Sequence, residues 1–423
     1  MQLIKRFSAF ELSPTLAANE KAQIMRDAGK SVIHMGFGQS PFPVPERLQR
    51  ALGGHVIEKS YLPTAGLDEL RTTVLAYYQD KAGINADDYD VMVAPGSKLI
   101  LYALQMAIEG DLLLTVPSWV SYAPQSHMLA RHVIKVPTCL GNDGYYIDPE
   151  QLAATIRDAR SEGHNPRKII LNYPSNPTGL SITHQNLNDI ADVCRKEGIF
   201  IISDEIYGLV SFEKQYRSIS QFAPDITAVS TGLSKHLSLG GWRMGVGLIP
   251  KAVDGLFSMM NNIASETWSC VSSPLQYAAI EAYKGHKDIE NHIERCTDIH
   301  QLMNCYLAQG FKDIGLNIAM PQGAFYTYPD FGPFKERLDK RMIRTSQELA
   351  DSLLEEQGVL TLPGHVFGDA PDVLTLRVSG CDYDGGAALR AYVDGQKLND
   401  EFIADYAPNI FEAPRRYKAF LKH

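Results

Sequence analysis

The sequence predicts an α/β fold: a mainly parallel seven-stranded sheet with helices on both faces, plus a smaller α+β domain formed by both chain termini. Three observations predict it. Short apolar runs alternate with amphipathic helical patterns from about residue 90 to 250, which is the signature of a buried parallel sheet. After Pro250 the pattern changes to long helical stretches separated by isolated strands. One helix and one strand precede the regular alternation, which assigns them to the smaller unit.

In chain order, a helix is expected over 14–28 and a strand over 32–35. The seven sheet strands are expected at 90–94, 112–116, 132–136, 168–172, 199–203, 226–230 and 245–249. Helices fill the gaps at 98–108, 120–130, 149–160 and 184–197. One long helix is expected over 275–309, then a strand over 324–328 and a helix over 345–357. A strand over 373–378 and a helix over 385–400 follow; no role is legible in 401–423. The expected division is a large domain over 46–300 and a small one built from 1–45 and 301–423. There is no internal repeat and no low-complexity segment.

Composition narrows the function classes. Of 423 residues, 45% are hydrophobic and 21% charged, enough apolar material for a large core. A net charge of −9 without a Lys/Arg-dense stripe speaks against nucleic acid as a partner. No apolar run approaches the ~18 residues of a membrane span. Residues 1–14 carry Lys5 and Arg6 but no apolar stretch suited to a signal peptide. The six cysteines are scattered without a CxxC pair, which fits reduced thiols in a cytoplasmic protein. His127 and His132 lack carboxylate or thiolate companions, so no metal site is expected. Neither a G-x-G-x-x-G nor a G-x-x-x-x-G-K-[ST] motif follows the first strands, which disfavours nicotinamide and P-loop enzymes.

Parallel sheets place chemistry at the carboxyl ends of their strands. The first expected strand runs into Gly96-Ser97-Lys98 and a helix start, where backbone N–H groups and the helix dipole suit a phosphate. The second leads to Trp119, able to stack on a planar ring. The fourth ends in Pro174-Ser175-Asn176-Pro177-Thr178-Gly179, a stiff turn that fixes the Asn176 amide. The fifth ends in Asp204-Glu205-Ile206-Tyr207; an acid above a buried strand needs a cationic partner, and a pyridinium nitrogen is one. The sixth leads to Ser234 and Lys235, an amine whose pKa falls beside an apolar sheet, and Arg243 follows eight residues on. Arg377 closes the run at 373–376, with a guanidinium fork matched to a carboxylate. Taken singly, most of these are ordinary turns, a core tryptophan, a solvated lysine or a structural salt bridge.

Together, in this order and spacing, the segments resemble the class I/II aminotransferases, the aspartate-aminotransferase-like group of fold type I pyridoxal phosphate enzymes. The segments are GFGQSPFPVP (36–45), YLPTAGLDELR (61–71), PGSK (95–98), PSWVSY (117–122), YPSNPTG (173–179), SDEIY (203–207), LSKHLSLGGWRMG (233–245), GAFY (323–326), PGHVFG (363–368) and LRVS (376–379). The resemblance runs from about Ser13 to Asp400. It implies pyridoxal 5'-phosphate as cofactor, with Lys235 as Schiff-base lysine and proton shuttle. It implies that Asp204 keeps the pyridine nitrogen protonated, that Asn176 and Tyr207 donate to the ring hydroxylate and that Trp119 stacks on the ring. Gly96, Ser97, Lys98, Ser234 and Arg243 fall in its phosphate-binding segments. Tyr61 resembles the tyrosine that reaches the phosphate of a neighbouring subunit, which implies a homodimer with shared sites. Arg377 resembles the clamp for the substrate α-carboxylate, with Asn176 beside it and Gly38 as the backbone group nearby.

The implied reaction is ping-pong transfer of an amino group between an L-amino acid and a 2-oxo acid. A β-lyase or related Cα-carbanion enzyme shares these motifs. A ligand-sensing regulator is disfavoured because the resemblance starts near residue 13. Three departures stand out: Gly232 replaces the usual phosphate-contacting serine, Gly38-Gln39-Ser40-Pro41 replaces a Gly-Glu-Pro-Asp-type opening, and Ser-Gly-Cys-Asp-Tyr-Asp-Gly (379–385) follows Arg377.

Overall fold

The computed structural model describes Ile4, Phe7 and residues 12–141 and 144–422. Its central sheet contains β1 (Tyr89–Pro95), β2 (Asp111–Val116), β3 (Val133–Pro137), β4 (Pro166–Asn172), β5 (Phe200–Asp204), β6 (Thr227–Gly232) and β7 (Met244–Pro250). The spatial order is β1-β7-β6-β5-β4-β2-β3. Strands β2 to β6 pair in parallel, and β7 is antiparallel to both β1 and β6. All seven expected runs are present. Every residue of β5, β6 and β7 is buried, which is why these strands read as unbroken runs rather than as alternation.

Register sets the working edge of the sheet. Asn172 at the end of β4 lies opposite Asp204 at the end of β5, and Asp204 lies opposite Ser230 on β6. Because β7 runs the other way, its first residues meet the same edge: Met244 pairs with Pro95, and Gly245 with Gly232. Arg243, one residue earlier, therefore arrives beside the turn at Gly96.

The observed elements differ from the expected ones in several places. The expected helix over 275–309 is two helices, Ser273–Tyr283 and Lys287–Asp313. Gly285 breaks them with a left-handed φ of +67°, a conformation that glycine takes without steric cost. The expected helix over 385–400 ends at Val393, and Gly395 follows at φ +94°. The tail carries two helices, Asp400–Tyr406 and Pro408–Lys422, the second burying Ile410, Ala413, Tyr417, Phe420 and Leu421. Two further helices, Glu46–Gly54 and Asp68–Ala82, occupy a stretch for which no element was expected.

The smaller unit draws on both ends of the chain. Ile33–His34 pairs in parallel with Val359–Leu360. Ile33, Met35 and Phe42 share one apolar core with Leu307, Phe311, Leu376, Ile410 and Tyr417. The helix Lys287–Asp313 bridges the two units. Its Ile289 and Ile293 join the core around β1 and β7, whereas its residues from Cys296 onward join the smaller core.

Candidate active site

A cavity of about 400 Å³ opens at the carboxyl edge of the sheet, between the two units. Gly38, Ser97, Lys98, Trp119, Asn176, Asp204, Tyr207, Ser234, Lys235, Arg243 and Arg377 all line it. Gly96 is one residue behind, at the start of the helix Ser97–Ala107. Tyr61 is the exception: it is 91% exposed and takes no part in this chain's own cavity.

The floor is built from β4 and β5. Asp204 is buried, and Tyr122 donates to its Oδ2 at 2.6 Å. Its Oδ1 has no hydrogen-bond partner among the described residues. Burial pushes the carboxyl up to about 6, against the pull of Tyr122, the Ile206 N–H and Lys235. Asn172 ties the two strand ends together. Its amide donates to the Asp204 carbonyl at 2.8 Å and its oxygen accepts the Asn176 N–H at 2.8 Å. Neither Tyr122 nor Asn172 was singled out from the sequence, because a tyrosine inside a helix pattern and an asparagine closing a strand carry no distinguishing spacing.

Lys235 stands after β6 and donates from Nζ to the Gly38 carbonyl at 2.9 Å. Its amine is 5.5 Å from the Tyr207 ring and 5.4 Å from the Phe325 ring. Burial brings its pKa down to about 8, with the Arg377 charge adding to the fall. An amine so placed is partly neutral near physiological pH and can act as nucleophile or base. Tyr207 pairs its hydroxyl with that of Tyr326 at 2.9 Å.

The cationic end of the cavity has two parts. Arg377 is 1% exposed and donates from Nη1 to Asn176 Oδ1 at 3.1 Å and from Nη2 to the Gly36 carbonyl at 2.6 Å. Its plane lies 4.6 Å from the Tyr326 ring and 5.1 Å from the Phe367 ring. No carboxylate of the described residues pairs with it, and its Nε is buried without a partner. A buried guanidinium without an anion is costly, so the site is built to receive one. At the other side, Arg243 bends back to the Gly240 carbonyl at 2.8 Å and lies over Gly96. A side chain at Gly96 would strike that guanidinium, and one at Gly245 would strike the Gly96 backbone. The glycines thus let Arg243 and the start of the helix Ser97–Ala107 converge, an anion cradle of N–H groups and positive charge. Lys98 places Nζ 5.0 Å from the Trp119 ring; burial and Arg243 lower its pKa.

The structure accounts for one departure. A Cβ at position 232 would run into the Met244 carbonyl and come within 2.9 Å of Gly245 Cα, so the close β6–β7 contact excludes serine there. The neighbouring Thr231 hydroxyl is turned away to Tyr78 at 2.9 Å, whereas Ser234 faces the cavity.

Fold and site together define a pyridoxal phosphate-dependent enzyme of the two-domain type. Residues 30–383 match the family model "Aminotransferase class I and II". Aspartate aminotransferase of Geobacillus stearothermophilus is 33% identical over 388 residues, covering 89% of this chain and 94% of that protein. Asparagine–oxo-acid transaminase of Streptococcus mutans is 30% identical over 391 residues, covering 89% and 94%. Among solved structures, the aspartate aminotransferase of Thermus thermophilus with maleate superposes with a TM-score of 0.84 at 24% identity, covering 99% of this chain and all of that one. The aspartate aminotransferase from Rhizobium meliloti gives 0.81 at 25% identity, covering 100% and 99%. The chain belongs to the class I and II aminotransferases. It is a transferase that moves an amino group between amino acid and 2-oxo acid with pyridoxal 5'-phosphate. Among the described residues no helix is long and apolar enough to cross a membrane.

Proposed function

We propose that Lys235 is the residue that holds the cofactor and that the preferred amino donor is a dicarboxylic amino acid of the aspartate type. The observation that carries the first half is that the buried Oδ1 of Asp204 has no partner among the described residues, in a cavity that Asp204 and Lys235 both line. A ring nitrogen bearing a proton fits that oxygen, and its charge offsets the cost of burying the acid. When bound, pyridoxal phosphate supplies the aldehyde that takes up the amine and the electron sink that acidifies Cα–H.

The chain's own residues do the rest. Arg377, with Asn176 and the Gly38 backbone beside it, grips the substrate α-carboxylate and fixes which Cα bond faces Lys235. Lys235 would take up the Cα proton on Nζ and hold it there for return. Asn176 and Tyr207 would hydrogen-bond the ring oxygen, and Trp119 would lie against the ring. The backbone N–H groups of Ser97 and Lys98, the turn at Gly96, Ser234 and Arg243 would hold the phosphate. Tyr61, exposed here, completes the phosphate site of a second subunit in a homodimer. The small domain takes residues 1–45 and 301–423 and the large one 46–300, with the break inside the helix Lys287–Asp313; we place the enzyme in the cytoplasm.

The acidic donor is supported by the names of the relatives and by Lys98. Lys98 lines the cavity, and its ammonium has no carboxylate within 4.0 Å among the described residues and suits a second carboxylate of the substrate. The test is a half-reaction screen. The yellow holoenzyme is mixed with each amino acid and loss of the cofactor's visible band is followed. Aspartate should convert it at least about tenfold faster than leucine or phenylalanine, and Lys98→Ala should erase that preference. Equal rates for acidic and apolar donors would overturn the donor assignment.

A further inference from the structure

Behind Lys235 lies a set of polar groups that the proposed chemistry does not use. Ser238 stands three residues after the lysine, with a left-handed φ of +59°. Its Oγ donates to Ser40 Oγ at 2.6 Å. Ser40 is buried, and its hydroxyl meets Nε2 of His300 at 3.1 Å. Having accepted from Ser238, Ser40 can give its own proton to Nε2 or accept one from it, according to the imidazole tautomer. His300 is buried too, and desolvation holds it down to about 3, so the ring stays neutral and able to accept.

The middle and the far end of this chain of hydrogen bonds touch what surrounds the lysine. Ser40 lies two residues beyond Gly38, whose carbonyl receives Lys235 Nζ. His300 packs at 4.9 Å against Phe325, the ring that walls off the same amine, and at 5.0 Å against Phe42. One buried hydroxyl thus joins three separate elements: the lysine loop, the segment bearing the Gly38 carbonyl, and the helix Lys287–Asp313 that bears His300. The charged or titratable groups that face the amine are Cys381, Arg377, Asp204, Arg243 and Tyr207, and Ser40 hydrogen-bonds to none of them. A change at Ser40 therefore alters distances around the amine without altering charge.

We propose that Ser40 is a positioning residue for Lys235, holding the Gly38 carbonyl and the Phe325 wall against the amine through its bonds to Ser238 and His300. The proposal rests on Lys235 being the cofactor-bearing lysine. The experiment uses holoenzyme and follows the visible absorbance of the lysine-linked cofactor as pH is varied, alongside kcat and KM. In Ser40→Ala the spectroscopic midpoint should move by at least about half a pH unit and kcat should fall about tenfold, with KM for the amino acid changing less than about threefold. Ser40→Thr, which keeps the hydroxyl, should restore both. Ser238→Ala leaves the buried Ser40–His300 pair intact and should reproduce the shift even if Ser40→Ala folds poorly. An unmoved midpoint in Ser238→Ala and in folded Ser40→Ala overturns the proposal, including when melting temperature alone falls. Borohydride reduction of the wild-type holoenzyme followed by peptide mapping separates the underlying reading: a label on another lysine overturns both, whereas a label on Lys235 with an unmoved midpoint overturns only the role of Ser40.

Discussion

Tyr122 donates its phenolic hydrogen to Oδ2 of Asp204 at 2.6 Å, while Oδ1 of the same carboxylate is buried without a partner among the described residues. One oxygen is held by the protein and the other is left for a ligand. Tyr122→Phe removes the holding bond while keeping the ring that packs on Trp119. Its kcat should fall about tenfold with the cofactor retained, which steady-state kinetics and the visible spectrum together would check. Asp204→Asn should keep the cofactor yet lose several orders of magnitude in turnover, and a wild-type rate there would sink the pairing with the ring nitrogen.

In the proposed mechanism, Lys235→Ala removes anchor and base at once. Turnover should drop by several orders of magnitude and the pH-dependent visible band should vanish. Near-normal transamination by that variant would remove Lys235 from the mechanism.

Arg377→Lys keeps a positive charge but not the fork that reaches Asn176 Oδ1 and the Gly36 carbonyl. KM for the amino acid should rise by about one to two orders of magnitude, more than kcat falls, because the geometric grip on the carboxylate is lost. Comparable KM values would show that the carboxylate binds elsewhere.

Glu205 gives a pH prediction independent of activity. Its Oε1 accepts from Ser203 Oγ at 2.7 Å, Ser218 Oγ at 2.7 Å and Tyr173 OH at 3.1 Å, and no cation pairs with it among the described residues. Burial pushes this carboxyl up to about 7 from 4.5. The folded state then binds a proton that the unfolded state has released. Its contribution is fully present below pH 4.5 and is lost as pH rises through about 7. Glu205→Gln, which mimics the protonated acid, should gain stability relative to wild type between those limits, by on the order of 3 kcal/mol above pH 7. Denaturant titrations of both proteins at pH 5 and pH 8 would check the slope; parallel curves would mean that the acid is not held protonated.

Gly232→Ser tests the departure three residues before Lys235. Because a Cβ there meets the Met244 carbonyl, the variant should lose about 1–3 kcal/mol of stability and bind phosphate no better. Tighter retention of the cofactor with unchanged melting would contradict the contact seen between β6 and β7.

The strand ends were legible because burial on both faces leaves unbroken apolar runs, and the residue after each run has to be something other than core. That logic reached Asn176, Asp204, Lys235 and Arg377, which the structure brings to one cavity. It could not reach residues whose place depends on tertiary contact. Tyr122 enters from within a short helix, Tyr326 from a two-residue strand, and Thr15 and Leu16 from the first turn of the N-terminal helix. The helix Pro408–Lys422 was missed for a related reason. Pro414 lies inside it, and its apolar face has meaning only once a core drawn from both chain ends exists to receive it.

That shared core also has a consequence for synthesis. The strand Ile33–His34 has its partner at Val359–Leu360, and the core around it is filled by Ile410, Tyr417 and Phe420. Domains emerging from the ribosome fold in order of appearance, but this one has its first strand in hand more than three hundred residues before the segment that pairs with it. The segment carrying Gly38 must wait through nearly the whole of translation, so the sheet edge can form with Asp204 and Lys235 in place while the wall bearing Arg377 is still being made. Closure of the cavity into its final geometry therefore waits on synthesis of residues 359–421.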